Sequence, residues 1–236
     1  MEVSSDAIDM KKRNISASGF SLVELLVGTV LFTIITGAVF SLLMSAQLRY
    51  SGESNVTEAF QQANVAIDQI VRDVHSAGYP PKTSMTVGTP PESYALPFAW
   101  SPSYPGTPCT VGVGGTCAIP GDSDLIVEAD TGNGVQWIRY SVQNGTLMRG
   151  VATKVGTDPV GTTNGALAPY LDNVINPTSV PVFSHRFDSS ASPQPASYIR
   201  EVNITLMVRS ALPDPQTQQF RTITLTGQAT RFNPNQ

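Results

Sequence analysis

The chain has 236 residues, which is enough for one sizeable domain with an appendage. Charged residues make up only 14% of the sequence, against about 25% in an ordinary soluble domain, so much of the chain is expected to be buried or to present an uncharged surface. The net charge of −4 gives no general attraction to nucleic acid. The two cysteines are too few for a disulfide scaffold and are enough for one disulfide.

The N-terminal part of the sequence predicts a membrane anchor. Residues 1–19 are polar and contain a basic cluster at 11–13, whereas residues 20–44 are almost continuously apolar, with Glu24 as their only charge. Such a run is long enough to cross the roughly 30 Å hydrocarbon core of a bilayer as a helix. Basic residues before the run favour a cytoplasmic N-terminus and an external C-terminal part.

The helical pattern continues beyond the apolar run. Apolar residues recur at spacings of three and four, which predicts an amphipathic helix over about residues 48–77. The apolar stripe consists of Val56, Phe60, Ala63, Ile67, Ile70 and Val74, and the opposite face carries Glu53, Glu58, Asp68, Arg72 and Asp73. Gly78 and the two prolines after it predict the end of the helix. Because no proline lies between Phe20 and Ala77, we expect one helix of about 58 residues.

Residues 79–236 predict a β-rich head, which together with the helix gives an α+β fold class with an antiparallel sheet. Its first part, residues 79–121, is rich in proline and glycine and longer than an ordinary connection. Short β-rich runs follow, and Asn144-Gly145 predicts a tight hairpin turn between two of them. The strand signals lie at 125–127, 135–142, 146–149, 182–187 and 202–208, and in a last run that contains Phe220, Ile223 and Leu225.

The residues Gly19-Phe20-Ser21-Leu22-Val23-Glu24, which follow a short basic leader and open an apolar helix, resemble the processing signature of type IV prepilins. The resemblance implies a pilin fold, cleavage between Gly19 and Phe20 by a prepilin peptidase of the bacterial inner membrane, and N-methylation of Phe20. It also implies that Glu24 pairs with the terminal amine of a neighbouring subunit. Such a pair would offset the cost of a carboxylate in lipid, which is about 2.5–3.5 kcal/mol. Residues 1–19 would then be a removed leader peptide, and residues 20–78 the long helix of the mature subunit.

A less specific likeness extends over most of the chain. Residues 67–79 resemble the end of the long helix in W-type minor pilins and J-type pseudopilins, and residues 137–149 resemble their early hairpin. Residues 171–174 and 202–208 fit the later sheet of these proteins. Ser41 stands where many major pilins have a proline, which favours a minor subunit.

This resemblance implies a structural subunit that assembles into, or primes, a type IV pilus or a type II secretion pseudopilus. The implied partners are the prepilin peptidase, other pilin or pseudopilin subunits and an inner-membrane assembly platform. The implied location is the inner membrane for the precursor, with the head in the periplasm, and then the filament.

Other interpretations remain open on the residues alone. A discarded signal peptide should have a shorter apolar run without Glu24, and a plain anchored enzyme leaves the amphipathic continuation unexplained. A filament-borne adhesin or a DNA-capturing tip subunit would use the long loop, although the bulk charge gives nucleic acid no support as a partner. The aromatic residues of that loop would either form an adhesive surface or pin the loop to its own domain. They are Tyr94, Phe98, Trp100 and Tyr104.

No catalytic site, cofactor or metal site is expected. His75 and His185 lie in no metal-spaced or nucleophile motif, so we do not expect an enzyme. The acidic residues between 122 and 130 have oxygens of the kind that Ca²⁺ binds, but their spacing matches no defined calcium loop and favours a solvated turn. These residues are Asp122, Asp124, Glu128 and Asp130.

Cys109 and Cys117 flank a short glycine-rich segment. Because the space outside the inner membrane is oxidising, we expect a disulfide between them. Closure of a loop of about 9 residues would stabilise the folded chain by about 2–3 kcal/mol.

Overall fold

The computed structural model describes residues 19–95, 98–99, 110–111, 123–155, 167–187, 194–195 and 199–232. Within these ranges the protein has one α-helix, α1 (Leu22–His75), and three antiparallel β-sheets, which confirms the predicted α+β fold class. The chain divides into two compact units, Met1–Gln47 and Leu48–Gln236. The first half of α1 therefore belongs to one unit and its second half to the other.

Ten strands lie in the described residues. They are β1 (Phe98–Ala99), β2 (Thr110–Val111), β3 (Asp124–Asp130), β4 (Val135–Gln143), β5 (Thr146–Thr153), β6 (Ala168–Leu171), β7 (Phe183–Phe187), β8 (Gln194–Pro195), β9 (Ile199–Arg209) and β10 (Thr222–Thr230). A five-stranded sheet has the order β1-β3-β4-β5-β6, and a three-stranded sheet has the order β10-β9-β7. The short strands β2 and β8 pair with each other.

Local sequence explains the central hairpin and the longest strand. Asn144 and Gly145 have φ angles of 52° and 80°, as a type I′ turn requires, so the predicted turn between β4 and β5 is confirmed. In β9 every second residue from Val202 to Val208 is buried, which confirms the predicted single buried face.

A short segment before β7 joins the two larger sheets. Val174 forms an isolated antiparallel bridge with Val208 of β9. The next contact is made by a side chain, because Nδ2 of Asn176 donates to the Thr205 carbonyl (2.9 Å) and its Oδ1 accepts from the Met207 N–H (2.8 Å). The side-chain amide of Asn176 therefore makes two hydrogen bonds to β9 of the kind that a backbone amide would make, at a point between β7 and the Val174 bridge.

The second half of α1 contributes one face to the core of the Leu48–Gln236 unit. Its buried residues are Gly52, Ala59, Ala63, Ala66, Ile67, Ile70, Asp73 and Val74. Two of the predicted face assignments are wrong. Phe60 is 46% exposed, whereas Asp73 is only 4% exposed. The buried face includes most of the predicted stripe and extends around the helix to Asp73, whose carboxylate has polar partners in the sheet.

The helix ends where the glycine signal predicts. Gly78 has a φ of 80°, and its N–H donates to the carbonyl of Glu128 in β3 (2.8 Å). The Asp130 N–H in turn donates to the Tyr79 carbonyl (2.8 Å). These two bonds attach the end of α1 to the five-stranded sheet.

The second half of α1 runs in the same direction as β10. In chain order, Gly52 lies against Pro215 just before β10, Ile67 lies against Gly227 in its middle, and the His75 carbonyl accepts a hydrogen bond from the backbone just after it. A Cβ atom on Gly227 would overlap Cγ2 of Ile67, so the absence of a side chain at this position lets the helix approach the strand.

Candidate functional site

The N-terminal end of α1 holds the residues of the predicted processing and assembly site. Gly19 and Phe20 precede the helix, Phe20 is 85% exposed, and no atom lies within 4 Å of a Cβ built on Gly19. The Ser21 N–H donates to Oε2 of Glu24 (3.1 Å), and Oγ of Ser21 accepts from the Val23 N–H (3.4 Å). Ser21 and Glu24 thus cap the start of the helix in a variant of the capping box, in which Oγ of Ser21 accepts from the second helical N–H and not from the third.

The first part of α1 is an exposed apolar surface. Every residue from 22 to 44 is exposed, and the most apolar 18-residue window of the helix has a mean hydropathy of 2.2. By length and composition this stretch could cross a membrane, which makes it compatible with the predicted anchor. In an aqueous environment so much exposed apolar surface would be unfavourable, so it requires lipid or protein around it.

The second half of α1 is attached to the five-stranded sheet by a buried polar cluster around Asp73. The hydroxyl of Tyr140 in β4 donates to Oδ2 of Asp73 and accepts from Nε of Arg149 in β5 (2.9 Å). The Arg149 guanidinium also donates to the same carboxylate oxygen (3.0 Å), and Gln69 donates to Oδ1 (2.9 Å). Burial, with the negative charge of Asp73 beside it, raises the pKa of Tyr140, so the hydroxyl remains a donor.

A second buried polar cluster lies at the other end of this sheet. Nζ of Lys154, just after β5, donates to Oε2 of Glu128 in β3 (2.6 Å) and to the Tyr94 carbonyl (2.9 Å). The side chains of Lys154 and Glu128 are 1% and 0% exposed. The Lys154 ammonium also lies 5.1 Å from the centre of the Tyr94 ring. The cluster ties the segment that follows α1 to the sheet.

The acidic residues near β3 have separate partners. Asp124 forms an ion pair with Arg139 (2.6 Å), Glu128 pairs with Lys154, and Oδ1 of Asp130 accepts from the Gly132 N–H (2.7 Å). The prediction of a solvated turn is therefore wrong for Asp124 and Glu128, which lie in β3 and form ion pairs with residues outside it, whereas Asp130 is the last residue of β3 and accepts from the turn that follows. Asp122 lies outside the described residues. Within the described ranges, no group of three or more histidine, cysteine or acidic side chains is arranged to hold a metal ion.

The two histidines lie in separate elements. His75 is the last residue of α1, and its ring lies 4.7 Å from the ring of Phe232. His185 lies in β7, where burial lowers the pKa of its imidazole to about 3.

Two of the four loop aromatics pack inward. Tyr94 is 9% exposed and Phe98 is 1% exposed, and Phe98 pairs with Val127 in the five-stranded sheet. These two residues pin the described part of the loop to its own domain. Trp100, Tyr104, Cys109 and Cys117 fall outside the described residues, so the predicted disulfide remains a prediction.

Comparison of the chain with protein-family models, with curated proteins and with solved structures found no match in any of the three. Function is therefore inferred from the residues and their geometry.

Two features of the site were missing from the sequence prediction. The capping box has a visible signal, because Ser21-Leu22-Val23-Glu24 matches the S-x-x-E pattern directly before an apolar helix. The Asp73 cluster has no comparable signal. Tyr140 and Arg149 lie 67 and 76 residues after Asp73 in the chain, and they meet it only in the folded head.

Proposed function

We propose that this protein is a type IV pilin-like structural subunit, a minor pilin or pseudopilin. It is inserted in the bacterial inner membrane as a precursor, cleaved after Gly19, methylated on Phe20 and assembled into a filament with other pilin subunits. The observation that carries the proposal is the combination at the start of α1. An accessible Gly19-Phe20 bond directly precedes an exposed apolar helix with one carboxylate, Glu24, in its first turn.

The second half of α1 supports this proposal over a simple membrane anchor. An anchor needs only the apolar run, whereas here the same helix continues for about eight further turns and supplies one face of the head's core. An anchored subunit of this kind can move from lipid into a filament, where the exposed apolar segments of neighbouring copies surround one another. In that setting the Glu24 carboxylate requires a positively charged partner, and the amine released on Phe20 by cleavage is such a group.

The adhesin alternative keeps less support. Tyr94 and Phe98, the two loop aromatics within the described residues, are buried, so these two side chains do not contribute to an adhesive surface. The proposed role is therefore assembly into a filament with other pilin subunits. The prepilin peptidase and the inner-membrane assembly platform are the other proposed partners.

Processing is the direct test. The full-length protein is expressed in bacterial membranes with a prepilin peptidase, extracted in detergent and analysed by intact mass and by its N-terminal peptide. We expect a chain that begins at Phe20, carries one added methyl group and retains the whole of α1. Gly19→Val should block cleavage, and because Gly19 has open space around it the fold should tolerate this change.

Gly28→Ala is the matched control, because Gly28 also has no atom within 4 Å of a built Cβ, and processing should be normal. An N-terminus near Gln47 would show that the apolar segment is a discarded signal peptide and would refute the proposal.

A further inference from the structure

The outer edge of β10 is long and has no partner among the described residues. β10 pairs with β9 over nine residues and lies at the end of its sheet. Just before β10 the Ser210 N–H donates to the Arg221 carbonyl, and just after it the Arg231 N–H donates to the Arg200 carbonyl. Odd-numbered residues therefore turn their backbone groups toward β9. The even-numbered residues of β10 turn theirs away from it, which leaves five N–H and five C=O groups free to pair.

Edge strands in natural sheets are usually protected by short length, charge, proline or a bulge. The other edge strands of the two larger sheets in the described residues follow that rule, since β1 has two residues, β6 contains Pro169, and β7 carries Arg186 and a register shift. β10 has none of these features. Its sequence Thr-Ile-Thr-Leu-Thr-Gly-Gln-Ala-Thr contains no charge and no proline, and its register with β9 is unbroken.

The flank of α1 beside this edge exposes an apolar side chain. Asp73 faces Tyr140 in the five-stranded sheet, whereas Ile67, on the other flank, lies against Gly227 of β10. Phe60 precedes Ile67 by seven residues, which is close to two helical turns, so it lies on the β10 flank. Phe60 is 46% exposed although it belongs to the apolar pattern of the helix. An additional strand beside β10 would cover it.

We propose that the outer edge of β10 and the Phe60 flank of α1 bind an extended segment of a different polypeptide, which is added to the sheet as a further strand. Backbone pairing would supply most of the affinity, as in other cases of strand addition. The absence of charge in β10 fits an uncharged segment. Apolar side chains at every second position of that segment would face Phe60.

A different polypeptide fits this edge better than a second copy of the chain, an argument that rests on the proposed membrane anchor. Antiparallel pairing of two β10 strands would make their α1 helices run in opposite directions, because α1 and β10 run in the same direction. Two copies anchored in one membrane need both helices to run the same way. Parallel pairing would keep the helices aligned, but it would turn the even-numbered side chains of the second copy, mostly threonine, toward Phe60.

The proposal is tested with full-length protein in detergent and a defined probe. The probe is a fluorescein-labelled peptide of alternating threonine and valine with a lysine at each end, and binding is measured by fluorescence anisotropy. A control peptide of the same sequence carries N-methyl groups on every second amide, so that it cannot pair with a strand edge. We expect wild-type protein to bind the control peptide at least about ten-fold more weakly than the probe.

Two variants test the two parts of the site. Thr226→Pro removes an outward N–H and leaves the ladder with β9 intact, and Phe60→Ser removes the apolar flank. Each should weaken binding of the probe by about ten-fold, whereas the conservative Thr226→Ser should bind as wild type does. Equal binding of the two peptides by wild-type protein would overturn the proposal, whether or not the variants fold. Unchanged binding by folded Thr226→Pro would also overturn it.

The identity of the occupant is tested by cross-linking Thr226→Cys in membranes with a short bis-maleimide, with wild-type protein as the control for the two native cysteines. A homodimer specific to the variant would overturn the assignment to a different polypeptide, and its absence is the expected result. None of these readouts depends on cleavage after Gly19. A failure of the edge site is therefore distinguishable from a failure of the proposed pilin function.

Discussion

Under the proposed function, Glu24 would serve two purposes at successive stages. In the uncleaved chain its carboxylate accepts the Ser21 N–H and caps the start of α1. After the cleavage that we propose between Gly19 and Phe20, a charged amine would lie one residue before Ser21, and we propose that Glu24 then pairs with the corresponding amine of a neighbouring subunit. Capping requires only an acceptor oxygen, whereas pairing with an amine requires the negative charge. The two roles can therefore be separated by substitution.

Glu24→Val should insert in the membrane as well as wild type or better, because a carboxylate that is costly in lipid is removed. Assembly should fail, since loss of one member of a buried charge pair commonly costs about 3–5 kcal/mol. Glu24→Gln keeps the capping acceptor without the charge, so its assembly should be intermediate. The measurements are the number of surface filaments and the amount of subunit in the membrane. Normal filaments with Glu24→Val would contradict the pairing role.

The ion pair of Lys154 and Glu128 permits a second test at the scale of single residues. Lys154→Met leaves the fully buried Glu128 without its ammonium partner and should lower the free energy of unfolding by about 3–5 kcal/mol. The double variant Lys154→Met, Glu128→Gln removes both charges and should recover much of that loss. Both are measured by urea unfolding of the full-length protein in detergent, followed by tryptophan fluorescence. Equal destabilisation by the single and double variants would show that packing, and not charge, dominates here.

At the scale of elements, the contact between α1 and β10 depends on one glycine. Gly227→Ala would place a methyl group on Cγ2 of Ile67, so the helix or the strand must move. We expect a loss of about 1–3 kcal/mol in the free energy of unfolding, measured by urea denaturation. Ile67→Leu has no methyl branch at Cβ, so adding it to Gly227→Ala should reduce the loss.

Gly37→Ala is the control for this prediction. Gly37 also lies in α1, but no atom is within 4 Å of a built Cβ, so this substitution should not destabilise the protein. A Gly227→Ala protein as stable as wild type would mean that the helix and β10 adjust at little cost.

At the scale of the whole molecule, the stability of the head should depend on pH through His185. Burial lowers the pKa of His185 to about 3, whereas the unfolded chain binds this proton near pH 6.5. The unfolded state therefore takes up a proton first as the pH falls. The contribution of neutral His185 is fully present above pH 6.5 and is lost progressively toward pH 3.

His185→Gln cannot take up this proton, so its stability should fall less than that of wild type between pH 6.5 and pH 4. Thermal unfolding of both proteins in detergent across this range measures the difference. The two curves should run parallel above pH 7. Identical decreases in wild type and variant on the acid side would contradict the assignment to His185.

Interactions between near neighbours in the chain were predictable from the sequence alone. The apolar run and its continuing helical period predicted α1, Gly78 predicted its end, and Asn144-Gly145 predicted the hairpin turn. The alternation in residues 202–208 predicted the buried face of β9. The processing and assembly site at Gly19, Phe20 and Glu24 stays a prediction from contiguous residues of the sequence.

The tertiary structure alone decided which side chains of these elements are buried and what they contact. Helical period gives the relative positions of residues around α1, but it does not say how far the core extends around the helix. The core extends far enough around α1 to bury Asp73 against Tyr140, whereas Phe60 lies beyond it and is exposed. The partners of Lys154 and the close approach at Gly227 were likewise decided by contacts between residues far apart in the chain. Such contacts leave no periodic signal in the sequence, because each depends on the packing of two separate elements.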